Sequence, residues 1–333
     1  MATTTAKIVR FSQTGGPEVL KLEELNVSEP GEGEVRLRVQ AIGLNRAEVM
    51  FREGKYLVQP KFPSKIGYEA SGIVEAVGLG VDRGWIGKKV STVPCFPADQ
   101  YGVYGEVAIV PAYALAEYPA QLSFEEATSI WMQYLTPYGA LVHYGKLAKG
   151  DFVLINAASS SVGLAAVQIA RAQGATSIAV TRTEKKKAEL LAHGADQVIV
   201  SNDEDVAERV MAVTGGKGAR IVFDPVTGKG IETMAAAAAT HGIIFAYGAL
   251  SQEPTPFPLF AALSKGLCIR GYTLFEIVGD PAVRKEAEKY VFDHVQSGQF
   301  RPKIARTFPL SRIVEAHRFM ESNEQIGKIV VTV

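Results

Sequence analysis

Two rhythms divide the 333 residues of the chain. Up to about residue 125, apolar and polar positions alternate in short runs, as in Val35-Arg36-Leu37-Arg38-Val39 and Glu106-Val107-Ala108-Ile109-Val110. A period of two predicts strands with one buried face. Glycine and proline interrupt these runs at Gly15-Gly16-Pro17, at Pro30-Gly31 and between Gly84 and Gly87, which predicts tight turns. From Ser123 the pattern changes. Ser123-Phe124-Glu125-Glu126 reads as a capping box opening a helix through Ile130, Trp131 and Leu135. Strands over 152–157, 177–181, 197–200, 221–224 and 243–247 then alternate with helices over 162–173, 185–193, 205–214 and 230–239. These strands are apolar without alternation, as when both faces are covered, so they predict a doubly wound parallel sheet. Helices over 281–297 and 309–322 and a strand over 328–333 close the chain.

Two domains follow, in keeping with roughly 150 residues per domain. A β-rich domain spans 1–125 and is completed by 273–333, and an α/β nucleotide-binding domain spans 126–272. No linker separates them, which predicts close packing with a cleft between. Composition adds exclusions. Hydrophobic residues make up 47% and charged residues 21%, a globular balance. Lys plus Arg and Asp plus Glu are both 35, so the basic excess of a nucleic-acid or membrane-surface binder is missing. The segment Met1–Phe11 lacks the apolar stretch of a signal peptide. The Ala235–Ala239 tract is cut by Thr240, His241 and Gly242 before it reaches the length of a membrane span. With only Cys95 and Cys268 there is no disulfide framework, which points to the reducing cytoplasm. Cys268 is expected to be a buried strand residue.

The candidate chemistry begins at the first strand of the parallel sheet. Ala158-Ser159-Ser160-Ser161-Val162-Gly163 has the spacing of G-x-G-x-x-G at a strand–turn–helix junction, with Ala158 and Ser160 in place of two glycines. Backbone N–H groups at such a helix start hold a pyrophosphate. About 20 residues on, an NAD site needs a carboxylate for the ribose 2′-hydroxyl. Here Val180-Thr181-Arg182-Thr183 is followed by Lys185, Lys186 and Lys187, and Glu184 lies past the turn. Arg182 and Lys186 suit a 2′-phosphate, so NADPH is the expected cofactor.

Several ordered segments resemble the medium-chain dehydrogenase/reductase superfamily, in its zinc-independent, zeta-crystallin-like quinone oxidoreductase branch. They are Gly16-Pro17-Glu18-Val19-Leu20, Ala41 to Glu48 around Asn45, and Gly67-Tyr68-Glu69-Ala70-Ser71-Gly72-Ile73-Val74, which has the pattern G-x-E-x-x-G-x-V. Leu122 to Ala127, Tyr134-Leu135-Thr136, Ala316-His317-Arg318 and Gly327-Lys328-Ile329-Val330 continue the match nearly to the end. The resemblance implies a GroES-like catalytic domain joined to a Rossmann-type NADPH domain. It places Asn45 at the nicotinamide and Tyr56 in the acceptor cleft, its phenol available to the developing oxyanion. It also implies cofactor contacts from Thr136, Ser159, Ser160, Ser161, Val162, Thr181, Tyr247, Gly248, Leu274 and Lys328. Gly271 to Phe275 resembles a segment that pairs subunits through a sheet edge, which implies a homodimer.

Zinc-dependent relatives carry a cysteine near position 45, a histidine at 68 and a cysteine cluster near 95. This chain has Asn45, Tyr68 and the single Cys95, and no histidine precedes His143. No metal is expected. Ser160-Ser161 replaces the usual Gly-Gly, and Arg46-Ala47-Glu48 departs from the aromatic and aspartate common in relatives, a change bearing on the acceptor pocket. The implied reaction is metal-free hydride transfer from NADPH to a quinone or conjugated enone. Two alternatives stay open: reduction of an alkenal, enoyl thioester or other carbonyl, and a non-catalytic NADPH-binding, RNA-binding protein of the crystallin type. Neutral charge stands against the last.

Overall fold

The computed structural model describes residues 4–333, so Met1–Thr3 of the opening alternating segment lie outside the described residues. The chain forms two compact units. One holds the residues up to Met132 together with Pro302–Val333, and the other is Gln133–Arg301.

The first unit is β-rich. A sheet of seven strands runs in the order Ile304–Pro309, Lys328–Thr332, Glu34–Gly43, Glu69–Val77, Lys89–Thr92 and Leu115–Ala116, with Val107–Pro111 also pairing on Glu34–Gly43. The early part of Glu34–Gly43 alternates buried Val35, Leu37 and Val39 with more open Arg36 and Arg38, as its pattern predicts. Its far end, Ala41-Ile42-Gly43, is buried on both faces. There it is flanked by Glu69–Val77 on one side and the closing strand on the other. A three-stranded sheet of Lys21–Val27, Thr4–Phe11 and Ser64–Lys65 completes the unit.

The second unit contains a six-stranded parallel sheet, its strands numbered here within the unit: β1 Phe152–Ile155, β2 Thr176–Thr181, β3 Gln197–Val200, β4 Ala219–Asp224, β5 Ala238–Ala246 and β6 Cys268–Gly271. The spatial order is β3-β2-β1-β4-β5-β6. That is the nucleotide-binding order, reversing direction between β1 and β4. Helices Ser161–Ala172, Val206–Val213 and Ile231–Ala237 bury Leu164, Val210 and Met234.

The structure differs from the sequence reading at several points; strand Ile304–Pro309 was not expected, and the helix expected over 230–239 gives way to strand at Ala238. Ser123 and Glu126 do form the capping box, at 3.2 and 2.9 Å, but the helix stops at Ala127 and resumes over Trp131–Pro137. In the gap the Ser129 hydroxyl donates to the Glu125 carbonyl at 2.7 Å, a local alternative to the helical ladder. After Pro137, which has no N–H to give, the chain winds as a π-helix over Tyr138–Tyr144. The second unit also continues past residue 272 to Arg301. Tyr290 of helix Pro281–Gln296 packs on Tyr138 at 5.0 Å, and Phe300 stacks on Tyr134 at 4.9 Å. Finally, Cys268 is exposed rather than buried, because β6 is an edge strand.

Candidate functional site

Register alone assembles a polar cluster inside the first unit. Gly43 pairs with Glu69 across one ladder and with Val330 across the other. Two residues along the chain in antiparallel sense, Asn45 therefore comes opposite Lys328. The Lys328 ammonium, fully buried, donates to Asn45 Oδ1 at 2.6 Å and Glu69 Oε2 at 2.5 Å. Asn45 Nδ2 donates to Glu69 Oε2 at 3.1 Å and to the Gly43 carbonyl at 3.2 Å. Glu69 Oε1 accepts from the Met132 N–H at 2.8 Å. Gly43 is obligatory here, since a Cβ would lie 2.3 Å from the Thr128 carbonyl oxygen and 2.8 Å from Lys328 Cε.

A second carboxylate, Glu48, lies one helical turn beyond Asn45. It accepts from the Asn45 N–H at 2.7 Å, the Tyr68 N–H at 3.0 Å, Asn45 Nδ2 at 3.3 Å and the Tyr104 hydroxyl at 2.5 Å. Burial pushes its pKa up, and these donors together with Lys328 offset part of that rise. Tyr56, in the loop after helix Arg46–Arg52, is half-buried and hydrogen-bonded to the Tyr68 hydroxyl. Burial and the Glu48 carboxylate push the Tyr56 phenol up to about 12. Tyr56 thus stays a neutral donor across the physiological range. Behind this layer, buried Arg52 donates to His317 Nδ1 at 3.0 Å and pairs with Glu321 at 2.8 Å. Burial, then Arg52 and Arg46, lower the His317 pKa to about 3.

In the second unit, β1 ends in the predicted turn. Ser160 caps helix Ser161–Ala172 by accepting from the Gly163 N–H at 3.0 Å. The N–H groups of the first helical turn have no intrahelical acceptor, and Ser160 caps that of Gly163 alone. Gly163 cannot be larger, because a Cβ would lie 2.6 Å from the Ala158 backbone. Thr181 is buried at the end of β2, and Arg182 beyond it is exposed. Lys186 reaches back to the turn and donates to Ser159 Oγ at 3.1 Å. The acid in this stretch, Glu184, pairs with Lys187 at 3.5 Å. The tip of β2 is therefore cationic and joined to the turn.

At the carboxyl ends of β1 and β4, Asn156 Nδ2 donates to buried Asp224 at 2.9 Å, and Asp224 also accepts from the Val226 and Thr227 N–H groups. Burial raises the Asp224 pKa against these donors. Tyr247 stacks on Phe223 with ring centroids 3.9 Å apart. Its hydroxyl is buried and lacks a hydrogen-bond partner among the described residues. A Cβ on Gly248 would lie 2.8 Å from the Pro225 carbonyl oxygen. Thr136 and Leu274 are buried in the same unit.

The predicted residues thus fall into two groups. Asn45 and Lys328 touch each other, and Tyr56 joins their neighbourhood through Tyr68 and Glu48. Ser159 and Lys186 touch, around the turn that Ser160 to Val162 complete. The sequence reading gave no role to Arg52, Asn156 or Asp224, and used Glu69 only as a motif letter. Polar residues closing two apolar strands, Ile155-Asn156 and Phe223-Asp224, were the available signal for that pair. The turn fits a dinucleotide: the first-turn N–H groups, the cationic β2 tip and the orphaned Tyr247 hydroxyl are all features a phosphorylated ribose and nicotinamide would use.

A family model described as an alcohol dehydrogenase GroES-like domain matches residues 31–120, and one described as a zinc-binding dehydrogenase matches residues 161–295. The chain is 32% identical over 323 residues to a 2-haloacrylate reductase of a Burkholderia species, covering 95% of this chain and 96% of that protein. It is equally 32% identical to a quinone oxidoreductase of Pseudomonas aeruginosa, covering 98% and 99%. The solved structure of Escherichia coli quinone oxidoreductase complexed with NADPH superposes with a TM-score of 0.91 at 31% identity, over 98% of this chain and 100% of that one. A zinc ion does not fit the residues present. Among the described residues no three His, Cys, Asp or Glu converge as ligands, and the Asn45 amide is committed to Lys328, Glu69 and Gly43. The chain belongs to the medium-chain dehydrogenase/reductase superfamily, in its quinone oxidoreductase branch.

Proposed function

We propose that this chain is an NADPH-dependent reductase of quinones and conjugated enones. The observation that carries the cofactor assignment is the cationic end of β2, with Arg182 exposed and Lys186 anchored on Ser159. When bound, NADPH supplies the hydride. Ser161 and Val162 give backbone N–H groups to the pyrophosphate, and Arg182 and Lys186 hold the 2′-phosphate. Tyr247 brings the hydroxyl that lacks a protein partner, Gly248 allows close approach of the backbone, and Thr136 and Leu274 face the nicotinamide half. Both N–H hydrogens of the Asn45 amide are used within the cluster, and Lys328 takes one lone pair of Oδ1. What remains is an acceptor, so Asn45 receives a ribose hydroxyl rather than donating to the substrate oxygen. Lys328 acts through Asn45. Tyr56 is then the residue that meets negative charge on the reduced acceptor with a proton.

The test is NADPH oxidation with 1,4-benzoquinone, 9,10-phenanthrenequinone and a simple enone, run in parallel with NADH. Turnover is expected with NADPH well above NADH, and the Arg182→Ala/Lys186→Ala double variant should narrow that preference by about tenfold or more, the worth of a charge-assisted hydrogen bond. Tight NADPH binding without turnover on any acceptor would overturn the reductase reading.

We also propose a homodimer formed through β6. The outer edge of β6 has no partner strand among the described residues. Helix Leu259–Lys265, just before it, exposes Phe260 at 84% and Leu263 at 71%. Unpaired edges and contiguous apolar side chains are what a second copy would cover. Both cysteines are free, in keeping with a cytoplasmic location, and no helix of the described residues is long and apolar enough to cross a membrane.

A further inference from the structure

We propose that Asn156 and Asp224 form a brace across the switch point of the nucleotide unit and are positioning residues for NADPH: together they hold the two turns that receive it in a backbone shape the turns would not keep alone. The inference rests on the reading of NADPH as the cofactor and adds the groups that shape its seat.

The two residues meet because of register. β1 and β4 run parallel with Ile155 opposite Phe223, and the Asn156 N–H donates to the Phe223 carbonyl at 3.0 Å. The next residue of each chain segment therefore lies beside its counterpart, where the sheet reverses its order. There Asn156 Nδ2 donates to Asp224 Oδ1 at 2.9 Å.

Each partner also reaches into the turn that follows it. Asn156 Oδ1 accepts from the Ala157 N–H at 2.9 Å. Asp224 Oδ1 accepts from the Val226 N–H at 2.8 Å, and Asp224 Oδ2 from the Thr227 N–H at 3.2 Å. Ala157 and Thr227 are the residues that need holding. Their φ angles are 49° and 59°, in the half of backbone space that suits glycine. Thr227 is β-branched as well, which makes the conformation a true outlier. Backbone of this kind persists only where its surroundings over-determine it, and here one side-chain contact ties the amides of two such residues together. The Asp224 carboxylate is 0% exposed, a costly burial for a charge whose donors are Asn156 and two turn amides. An apolar pair would join two strand ends at less cost, but it would hold no amide.

Both turns lead to the cofactor. The Ala157 carbonyl accepts from the Ser160 N–H at 3.0 Å, which sets the start of helix Ser161–Ala172, where the pyrophosphate is assigned. On the other side the Asp224 carbonyl accepts from the Tyr247 N–H at 3.0 Å. The Pro225 carbonyl closes on Gly248, where a Cβ would lie 2.8 Å from it. The Tyr247 hydroxyl, buried and without a hydrogen-bond partner among the described residues, is an independent sign that a polar ligand belongs at this edge.

Asp224→Asn keeps the shape but sets its amide hydrogens against those of Asn156. Asn156→Ala, at a half-buried position, serves as a second variant should the first fail to fold. In calorimetry on the full chain the Kd for NADPH should rise about tenfold in each, the worth of one charge-assisted hydrogen bond. The double variant should fall short of the product of the two, because the partners act through each other. Adding Thr227→Gly to Asp224→Asn should win back about threefold, since glycine takes this φ without strain. A merely structural role would show no such recovery, because glycine otherwise only loosens the chain. A readout free of cofactor is amide hydrogen exchange. The Thr227 N–H should exchange faster in Asp224→Asn and the Ala157 N–H in Asn156→Ala, while Leu154 and Val222 inside the sheet keep their rates. An unchanged Kd, no recovery with glycine, or unaltered exchange at both amides would each overturn the brace while leaving the reductase reading intact. A wild-type protein that binds no NADPH would overturn both, and one that binds NADPH but reduces no acceptor would overturn the reductase reading alone.

Discussion

Lys328 and Glu69 are ion-paired at 2.5 Å with no exposed side-chain surface to speak of, so neither charge is eased by water. Removing one partner leaves the other stranded in the interior. Lys328→Met should therefore cost roughly 3 kcal/mol in urea denaturation, and Lys328→Met/Glu69→Gln should recover part of it. An equal loss in both variants would mean that the charge is not what the pair neutralises. His317 gives a second prediction at this scale. Its pKa is lowered from an ordinary value of 6.5 to about 3, so the folded state binds the proton less readily than the unfolded chain. Its full contribution to stability is present above pH 6.5 and drains away as the pH falls toward 3. By pH 5 the loss amounts to about 2 kcal/mol. His317→Gln should flatten the fall in urea midpoint between pH 7 and pH 5, and parallel falls in the two proteins would contradict the assignment. Residues of this kind were unevenly legible in the sequence. Asn45 and Lys328 came through resemblance. Arg52 is fully buried although nothing in the local pattern of helix Arg46–Arg52 marks it, since its partners Gly15, His317 and Glu321 are far along the chain.

At the scale of elements, the strand–turn–helix of the nucleotide unit was readable because each part depends on neighbours in sequence. Apolar runs gave the strands, and the small residues gave the turn. Ser160 proves to be the cap, and Gly163 the residue whose bareness lets the helix approach Ala158. Ser160→Ala should lower stability by about 1 kcal/mol through the lost cap. Gly163→Ala should do more to the site than to the fold. The added methyl forces the turn outward, so isothermal calorimetry should show NADPH affinity falling more steeply than the thermal midpoint. If NADPH affinity is unchanged, the turn is not where the pyrophosphate sits. The break between Ala127 and Trp131 was not readable, because Phe124 to Leu135 carries continuous helical periodicity. What interrupts it is the Ser129 side chain turning onto the Glu125 carbonyl, one of several choices open to a serine.

For the whole molecule, a formal charge of zero offers two copies no long-range repulsion, and the exposed edge of β6 offers them a surface. Light scattering should give twice the mass of the 35.8 kDa chain, and Phe260→Asp/Leu263→Asp should shift it toward the monomer. A wild-type monomer at micromolar concentration would remove the edge from the account. Only the burial of Cys268 was misread from sequence, since an apolar strand at the edge of a sheet reads the same as one in its middle until the order of strands is known. In the proposed reaction this fold carries a hydride to carbon, with NADPH as its source and Tyr56 as the source of the proton. Its most direct test is the reduction of an enone with NADPH deuterated at the transferred position of C4, followed by NMR of the product. Deuterium at the β-carbon and solvent hydrogen at the α-carbon is the predicted result. A product lacking deuterium, or no product from a protein that binds NADPH, would contradict it.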